Sequence, residues 1–220
     1  MNYSIAEENY IKAVYHLQQS ASTVSTNGLA AQIQTKPASI TDMLKKLKAK
    51  GLLDYEPYKG VALTDSGLAV ALTVIRRHRL WEFFLVKHLG FGWNQVHEVA
   101  EQLEHVQSTL LTQRLDDFLG KPAFDPHGDP IPDERGRMAQ RHRLPLADLA
   151  PNVPATICAV ANQTNALLEM LTAKKLELGT PVEVIHRFDF DNSMEINILN
   201  TEKVMLSQQL ASHLFVQIIA

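Results

Sequence analysis

Apolar residues recur at helical spacing over Ile5–Gln19, where Ile11, Val14, Tyr15 and Leu17 form one stripe, and the spacing predicts a helix. A polar break from Ser20 to Thr26 precedes a second short helix over Gly28–Ile33. Thr26 or Asn27 can cap it, with Leu29, Ala30 and Ile33 facing inward. A tight turn at Gln34-Thr35-Lys36 leads to Pro37, which suits the first turn of a third helix over Ala38–Lys50, and Gly51 stops that helix. Two short runs, Leu52–Glu56 and Val61–Leu63, flank a turn at Pro57–Gly60 and predict a hairpin. Thr64-Asp65-Ser66-Gly67 restarts a helix that runs from about Leu68 to Leu89 or is broken once within that span. After a break at Gly90-Phe91-Gly92, one further helix is expected from Trp93 or Asn94 to Phe118. GKPAFDPHGDPIP is a rigid irregular connection. The pattern then changes. Thr156–Val160, Pro181–Phe188, Met194–Ile198 and Val216–Ile218 predict strands, and Asn165–Lys174 predicts a helix. The chain is mainly α, with a small β-rich domain at its C-terminal end.

Composition adds bounds. The 220 residues are 45% hydrophobic and 20% charged, which suits two or three small packed domains. The formal charge of -3 does not advertise a nucleic-acid partner, so its distribution must. Residues 1–75 carry seven lysines and six acids, residues 76–145 ten of each sign, and residues 146–220 four basic and eight acidic groups. A basic surface for DNA is therefore expected in the first half. Cys158 is the single cysteine, which excludes an intrachain disulfide and a thiolate metal cluster and points to a reducing cytoplasm. The opening MNYSIAEENYIKAVYHL has acids early and does not read as a signal peptide. The sequence has no apolar run long enough to predict a membrane span.

Two short helices, a tight turn and a hairpin make the layout of a winged helix–turn–helix. The third helix reads KPASITDMLKKLKAKGLL, with Ile40, Met43, Leu44 and Leu47 on an inward face. Lys36 to Lys50 holds five lysines against one aspartate. Ser39, Thr41 and Asp42 sit early, where a docked helix reaches base edges, while Lys36, Lys45 and Lys46 suit phosphates. Lys59 at the hairpin tip is placed for a neighbouring phosphate. Thr26 and Pro37, at the starts of the two helices, complete the candidate DNA-binding set. A solvated lysine face is the competing reading of the lysines alone.

A second signal lies between positions 78 and 105. His78 and Glu82 are four apart in RRHRLWEF, and His97, Glu101, Glu104 and His105 fall within VHEVAEQLEHV. On one continuous helix these last four share an arc, opposite Val96, Val99, Leu103 and Val106. Imidazoles with several carboxylates suit divalent Mn, Fe, Co or Zn, and the carboxylate richness tilts the choice toward Mn(II) or Fe(II). His16, His88 and His142 read as structural or exposed. The chain has neither HExxH nor an evident nucleophile constellation, so an enzyme is not expected. A metal hydrolase with an accessory winged helix remains the alternative of another class. A regulator with a purely structural metal, or a storage module, is a further one.

Together, SIAEENYIKAVYHL, KPASITDMLKKLKAKGLL, LTDSG, RRHRLWEFFL, VHEVAEQLEHV and DPHGDPIP resemble the DtxR/MntR family of iron- and manganese-dependent repressors. The resemblance implies a winged helix–turn–helix DNA-binding domain over residues 1–65 and a helical metal-binding and dimerisation domain over 66–140. It further implies a linker over 141–152 and an SH3-like, FeoA-type β-barrel domain over 153–220. A homodimer would set two recognition helices on an inverted-repeat operator in double-stranded DNA. Metal binding, by Mn(2+) or alternatively Fe(2+), would favour that geometry. By the resemblance His78, Glu82, His97, Glu101, Glu104 and His105 match metal-ligand positions. Asn9 falls where iron-type members place a methionine and manganese-type members an aspartate. Lys12 falls where the manganese type has another carboxylate. Glu101 replaces the cysteine of the iron type, which leans toward manganese. Arg79 matches the arginine of an anion pocket, but Asp125 and Asp129 replace its serine and asparagine. Asn162 and Gln163 lie near the region where the C-terminal domain of iron-type members donates further ligands.

Overall fold

A computed structural model describes residues 3–21, 23–56, 59–198 and 202–219. It divides into two compact units. The first comprises residues 1–81, 100–120 and 132–138, and the second residues 82–99, 121–131 and 139–220.

The first unit opens with α1, Ile5–Gln18. Ser4 and Glu7 form a reciprocal capping box there: the Ser4 hydroxyl accepts from the Glu7 N–H and the Glu7 carboxylate from the Ser4 N–H. α2, Thr26–Ile33, is capped by Ser25, whose hydroxyl accepts from Gly28 N. The cap expected at Thr26 or Asn27 thus lies one residue earlier, and Thr26 is the first helical residue. Gln34 closes α2 in the left-handed conformation, φ 55°. α3, Pro37–Ala49, starts on its proline. Strands β1, Leu53–Glu56, and β2, Gly60–Leu63, pair antiparallel from Leu53↔Leu63 to Glu56↔Gly60, and Val24 bridges to Val61 on the outside. Pro57 and Tyr58 of the expected hairpin turn lie outside the described residues. Ile11, Val14, Leu29, Ile40, Leu44, Leu47, Leu52, Leu53 and Val61 close one core.

α4, Asp65–Leu89, begins three residues before the expected start and runs unbroken. Thr64 caps it: its hydroxyl accepts from Gly67 N and donates to the carbonyl of Gly51. The single helix expected from Trp93 to Phe118 is in fact two, α5, Val96–Leu103, and α6, Thr109–Phe118. The chain turns at Glu104 and His105, and Ser108 opens the new helix by accepting from Leu111 N. Glu104 and His105 are therefore placed by a turn rather than by helical phase.

The second unit holds a six-stranded antiparallel sheet in the order β3-β8-β4-β5-β6-β7. Its strands are β3, Leu144–Pro145; β4, Pro154–Val160; β5, Pro181–Arg187; β6, Met194–Ile198; β7, Glu202–Leu206; and β8, Leu214–Ile218. Helix α7, Asn165–Ala173, follows β4, and α8, Gln208–Ser212, precedes β8. Register shifts between Ile157 and Ala159 and between Val184 and His186 bend the sheet over its core. Strand β6 alternates buried and half-buried residues, as a sheet with one core face requires. The stretch expected as linker, 141–152, is built into this unit. Leu144–Pro145 pairs with Val216 and Phe215, and Leu146 and Leu149 are buried in the core. β7 and α8 were not expected.

Gly67 sits where α4 crosses the chain after α3, and a Cβ there would lie 1.8 Å from the Leu52 carbonyl oxygen. Backbone cannot yield as a flexible side chain can. Gly67→Ala is expected to destabilise the first unit by about 2 kcal/mol, seen as a lower urea midpoint at unchanged slope.

Candidate metal centre and nucleic-acid interface

In the first unit, α1 presents Glu7, Glu8 and Lys12, α4 presents Arg77 and His78, and the turn after α5 presents Glu104 and His105. Glu7, Glu8 and Glu104 are buried. A buried carboxylate needs charged or hydrogen-bonded partners, and each has them. The Lys12 ammonium lies 2.7 and 2.8 Å from the two oxygens of Glu104 and 3.4 Å from Glu101. His78 Nδ1 is 2.6 Å from the Glu104 carboxylate. Burial works against the charge on Glu104, but His78 and Lys12 outweigh it and hold the carboxyl below its ordinary range. Arg77 and Gln107 donate to one oxygen of Glu8 at 2.7 and 3.1 Å, and His105 Nδ1 is 2.7 Å from the other. His105 Nε2 is 3.6 Å from Glu104. Glu101 is exposed on α5, and Asn9 is exposed on α1.

In the second unit a different set gathers. Glu82 on α4, with Asp125 and His127 from the DPHGDP loop, is buried, and one ligand atom of each lies within 4.8 Å of the others. His97 Nδ1, from the half-exposed end of α5, is 3.5 Å from Glu82. The loop is shaped by its own polar groups. Asp125 Oδ1 accepts from the N–H of His127 and of Asp129, at 2.8 and 2.9 Å, and the His127 carbonyl accepts from Val160 N. Gly128 has φ +88°, and a Cβ there would stand 2.2 Å from the Cys158 carbonyl oxygen, so only glycine lets the loop lie on β4. His127 Nε2 is 2.8 Å from the Trp93 carbonyl, which orients the ring. Its Nδ1 is buried without a hydrogen-bond partner, 3.7 Å from Glu82 Oε2. Burial opposes the charge on this imidazole, but Glu82, Asp125 and the Trp93 carbonyl outweigh that and push its pKa up to about 9.

The second-unit set fits a divalent ion: nitrogen and oxygen donors, mostly buried, with one imidazole nitrogen lacking a partner and its ring fixed from the far side. In the first-unit set an ammonium already stands among the carboxylate oxygens. Sequence reasoning missed His127, although D-x-H in a Pro- and Gly-rich loop was the signal available. Gln163 donates to Asp129 at 2.9 Å.

The candidate DNA surface follows α3 and the hairpin. Lys36, Ser39, Asp42 and Lys45 are exposed, and Thr26 and Thr41 are half-buried. Lys46 keeps 55% of its side chain exposed but pairs with Glu7 at 3.1 Å, and Lys50 pairs with the same oxygen at 2.6 Å. Lys48 donates to the Tyr55 carbonyl, fixing α3 to β1. Lys59 pairs with Glu56 on the hairpin.

Residues 4–61 match the iron dependent repressor, N-terminal DNA binding domain; residues 64–133 match the iron dependent repressor, metal binding and dimerisation domain; and residues 144–218 match the FeoA domain. The iron-dependent repressor IdeR of Mycobacterium leprae is 31% identical over 180 residues, covering 82% of this chain and 70% of its own. The diphtheria toxin repressor of Corynebacterium diphtheriae is 27% identical over 192 residues, covering 82% and 84%. A manganese-dependent transcriptional repressor solved in complex with manganese superposes with a TM-score of 0.84 at 32% identity, covering 97% of this chain and 100% of that one. ScaR with bound Cd2+ superposes at 0.77 and 31% identity, covering 97% and 99%.

Glu7 ties α1 to the lysine-rich helix. Burial raises its pKa, but Lys50, the Ser4 N–H and Lys46 overcome this and lower it from 4.5 to about 2. Because the folded value lies below the unfolded one, the stabilisation is complete above about pH 4.5 and is lost as the pH falls toward 2. Thermal melts from pH 6 to 2 should show this loss in the wild type. Glu7→Gln should be less stable at pH 6 and show a shallower acid dependence. Parallel curves for the two proteins would exclude the pairing.

Proposed function

The chain belongs to the DtxR/MntR family of iron- and manganese-dependent transcriptional repressors, and we propose that it is a Mn(II)-responsive member that binds an inverted-repeat operator as a homodimer. The observation that carries the metal reading is the buried set Glu82, Asp125 and His127, with His127 Nδ1 lacking a hydrogen-bond partner. His97 joins this set. His78, Glu101, Glu104 and His105 form the second ligand set, with Asn9 at its margin. The bound ion supplies divalent charge that neutralises converging carboxylates. His127 must release its Nδ1 proton to serve as a ligand, so metal affinity falls as pH falls. Trp93 holds the ring through Nε2, and Gly128 lets its loop seat on β4.

The donors described are nitrogen and oxygen throughout. Cys158 is buried, and that burial pushes its thiol pKa up. An oxygen-rich set without thiolate suits Mn(II). Fe(II) is the second reading, favoured by the iron-dependent relatives.

For DNA, Ser39, Thr41 and Asp42 are placed near the start of α3 to read base edges. Lys36, Lys45, Lys46 and Lys59, with the helix starts at Thr26 and Pro37, are placed to hold phosphates. Residues 1–65 serve as the DNA-binding domain, 66–140 as the metal-binding and dimerisation domain, and the FeoA-type domain starts by residue 144, where its first strand pairs with β8. Exposed Val106, Leu110, Leu111 and Phe118 provide apolar surface for the dimer. The role is regulatory rather than enzymatic, and cytoplasmic. Among the described residues no helix is long and apolar enough to cross a membrane.

The test begins by selecting binding sites from a random duplex pool with and without Mn(II). Binding of the recovered operator is then measured across buffered anaerobic Mn(II), Fe(II), Co(II) and Zn(II). Mn(II)-dependent binding is expected, and His127→Ala and Glu82→Gln should abolish the dependence with the circular dichroism spectrum unchanged. Metal-independent binding, or variants that respond like the wild type, would sink the assignment. Lys45→Ala should weaken operator binding and lower the slope of log K against log salt by about 1. An unchanged slope would remove Lys45 from the phosphate contacts.

A further inference from the structure

We propose that Lys12 is a tethered competitor for the first-unit carboxylates, so that this set takes a divalent ion only by displacing an ammonium and fills at higher metal concentration than the second-unit set. The inference rests on the reading of Glu101 and Glu104 as ligands. Its basis is geometric. The Lys12 ammonium lies within 2.8 Å of both oxygens of a fully buried carboxylate and 3.4 Å from a second carboxylate. Those oxygens are the ones a cation in this set would need, and an ammonium held against both of them repels a divalent ion brought to the same carboxylate.

Charge points the same way. Around the turn after α5 stand three carboxylates, Glu8, Glu101 and Glu104. Two fixed cations are paired with them, Arg77 on Glu8 and Lys12 on the other two. The excess negative charge that would draw in a divalent ion is largely cancelled from within the chain. In the second-unit set one ligand atom each of Glu82, Asp125 and His127 already lies within 4.8 Å of the others, with no lysine ammonium among the described residues to displace from between them. Lys12 differs from a structural cation in one respect. Its side chain is 13% exposed on a flexible four-carbon stem, so the ammonium can swing into water when an ion arrives. Arg77, at 7%, has no such exit. Lys12 thereby sets the metal concentration at which the first-unit set responds. The two sets become a tight site and a threshold site on one chain.

The experiment is a Mn(II) titration of the full-length protein, read by the electron paramagnetic resonance signal of free ion. The wild type is compared with Lys12→Gln, Lys12→Met, Lys12→Arg, Glu104→Gln and Glu82→Gln, each checked for folding by circular dichroism. Two classes of site are expected in the wild type, with Glu82→Gln losing the tight one and Glu104→Gln the weak one. Removing a charge-assisted contact to a buried carboxylate should tighten the weak class about tenfold or more in both Lys12→Gln and Lys12→Met. The tight class should be unchanged, and Lys12→Arg should remain weak. A weak class that depends on Glu104 but ignores Lys12→Gln and Lys12→Met overturns this proposal and leaves the ligand reading standing. Absence of a second ion in the wild type and in both neutral variants overturns the ligand reading of Glu104, and the competitor role with it.

Discussion

Burial of carboxylates against fixed positive charge is the constraint on which the first unit depends. An ionised carboxylate removed from water costs several kcal/mol unless partners compensate it. Here Glu7, Glu8 and Glu104 are buried within one neighbourhood of α1. Each is answered by a different element: Glu7 by α3 through Lys46 and Lys50, Glu8 by α4 through Arg77, and Glu104 by α1 itself through Lys12 and by α4 through His78. These pairs therefore do more than neutralise charge. They fix which helix faces which, because a mispaired arrangement would strand a buried ion. A fourth buried pair, Arg76 with Asp116, anchors α6 to α4 by the same logic.

The second unit solves a related problem with a loop. Backbone rigidity comes from Asp125, which folds the chain onto itself, and from Gly128, which permits close approach to β4. Trp93 contributes its carbonyl to the His127 ring, stacks alongside it at 6.2 Å, and reaches Thr172 of α7 through its indole N–H. The imidazole is thus held by the Trp93 carbonyl at Nε2 and by the Trp93 ring alongside it, while its Nδ1 faces Glu82. Such pre-positioning makes an imidazole a good ligand, because little freedom is left to lose on binding.

Much of this was legible in the sequence, and the parts that were not share physical causes. The apolar stripe gave Ile11 and Val14, and the third-helix phase gave Ile40, Leu44 and Leu47, all of which are buried. Those signals are local and periodic. The break at Glu104 was hidden because the residues on both sides keep a helix-compatible phase. Only the Ser108 cap marked the new start. β7 and α8 escaped because neither carries a clear apolar pattern: β7 is an edge strand that opens on charged residues, and α8 spans little more than one helical turn. His127 escaped because a loop has no period from which a facing direction can be deduced. Lys12 was visible as a departure from the manganese pattern, but its ammonium's place among Glu101 and Glu104 depends on residues about ninety positions away.

The most consequential detail is the adjacency of Glu7 and Glu8. Consecutive residues on a helix point about 100° apart, so neighbours can serve two different surfaces. Glu7 takes the direction of α3 and holds two lysines of the helix proposed to enter DNA. Glu8 takes the other direction and holds Arg77 and His105 beside the first-unit residues proposed as ligands. Lys12, one turn further along, belongs to that second face. Between them lies a single capped helix with an apolar side locked into the core by Ile11 and Val14. A displacement of α1 toward or away from Glu104 cannot leave the Glu7 pairs untouched, since helix and side chain move together. The lysines on α3 must then either follow α1 or surrender Glu7. Coupling between the two faces needs no long pathway through the core, because two adjacent residues of one helix already join them.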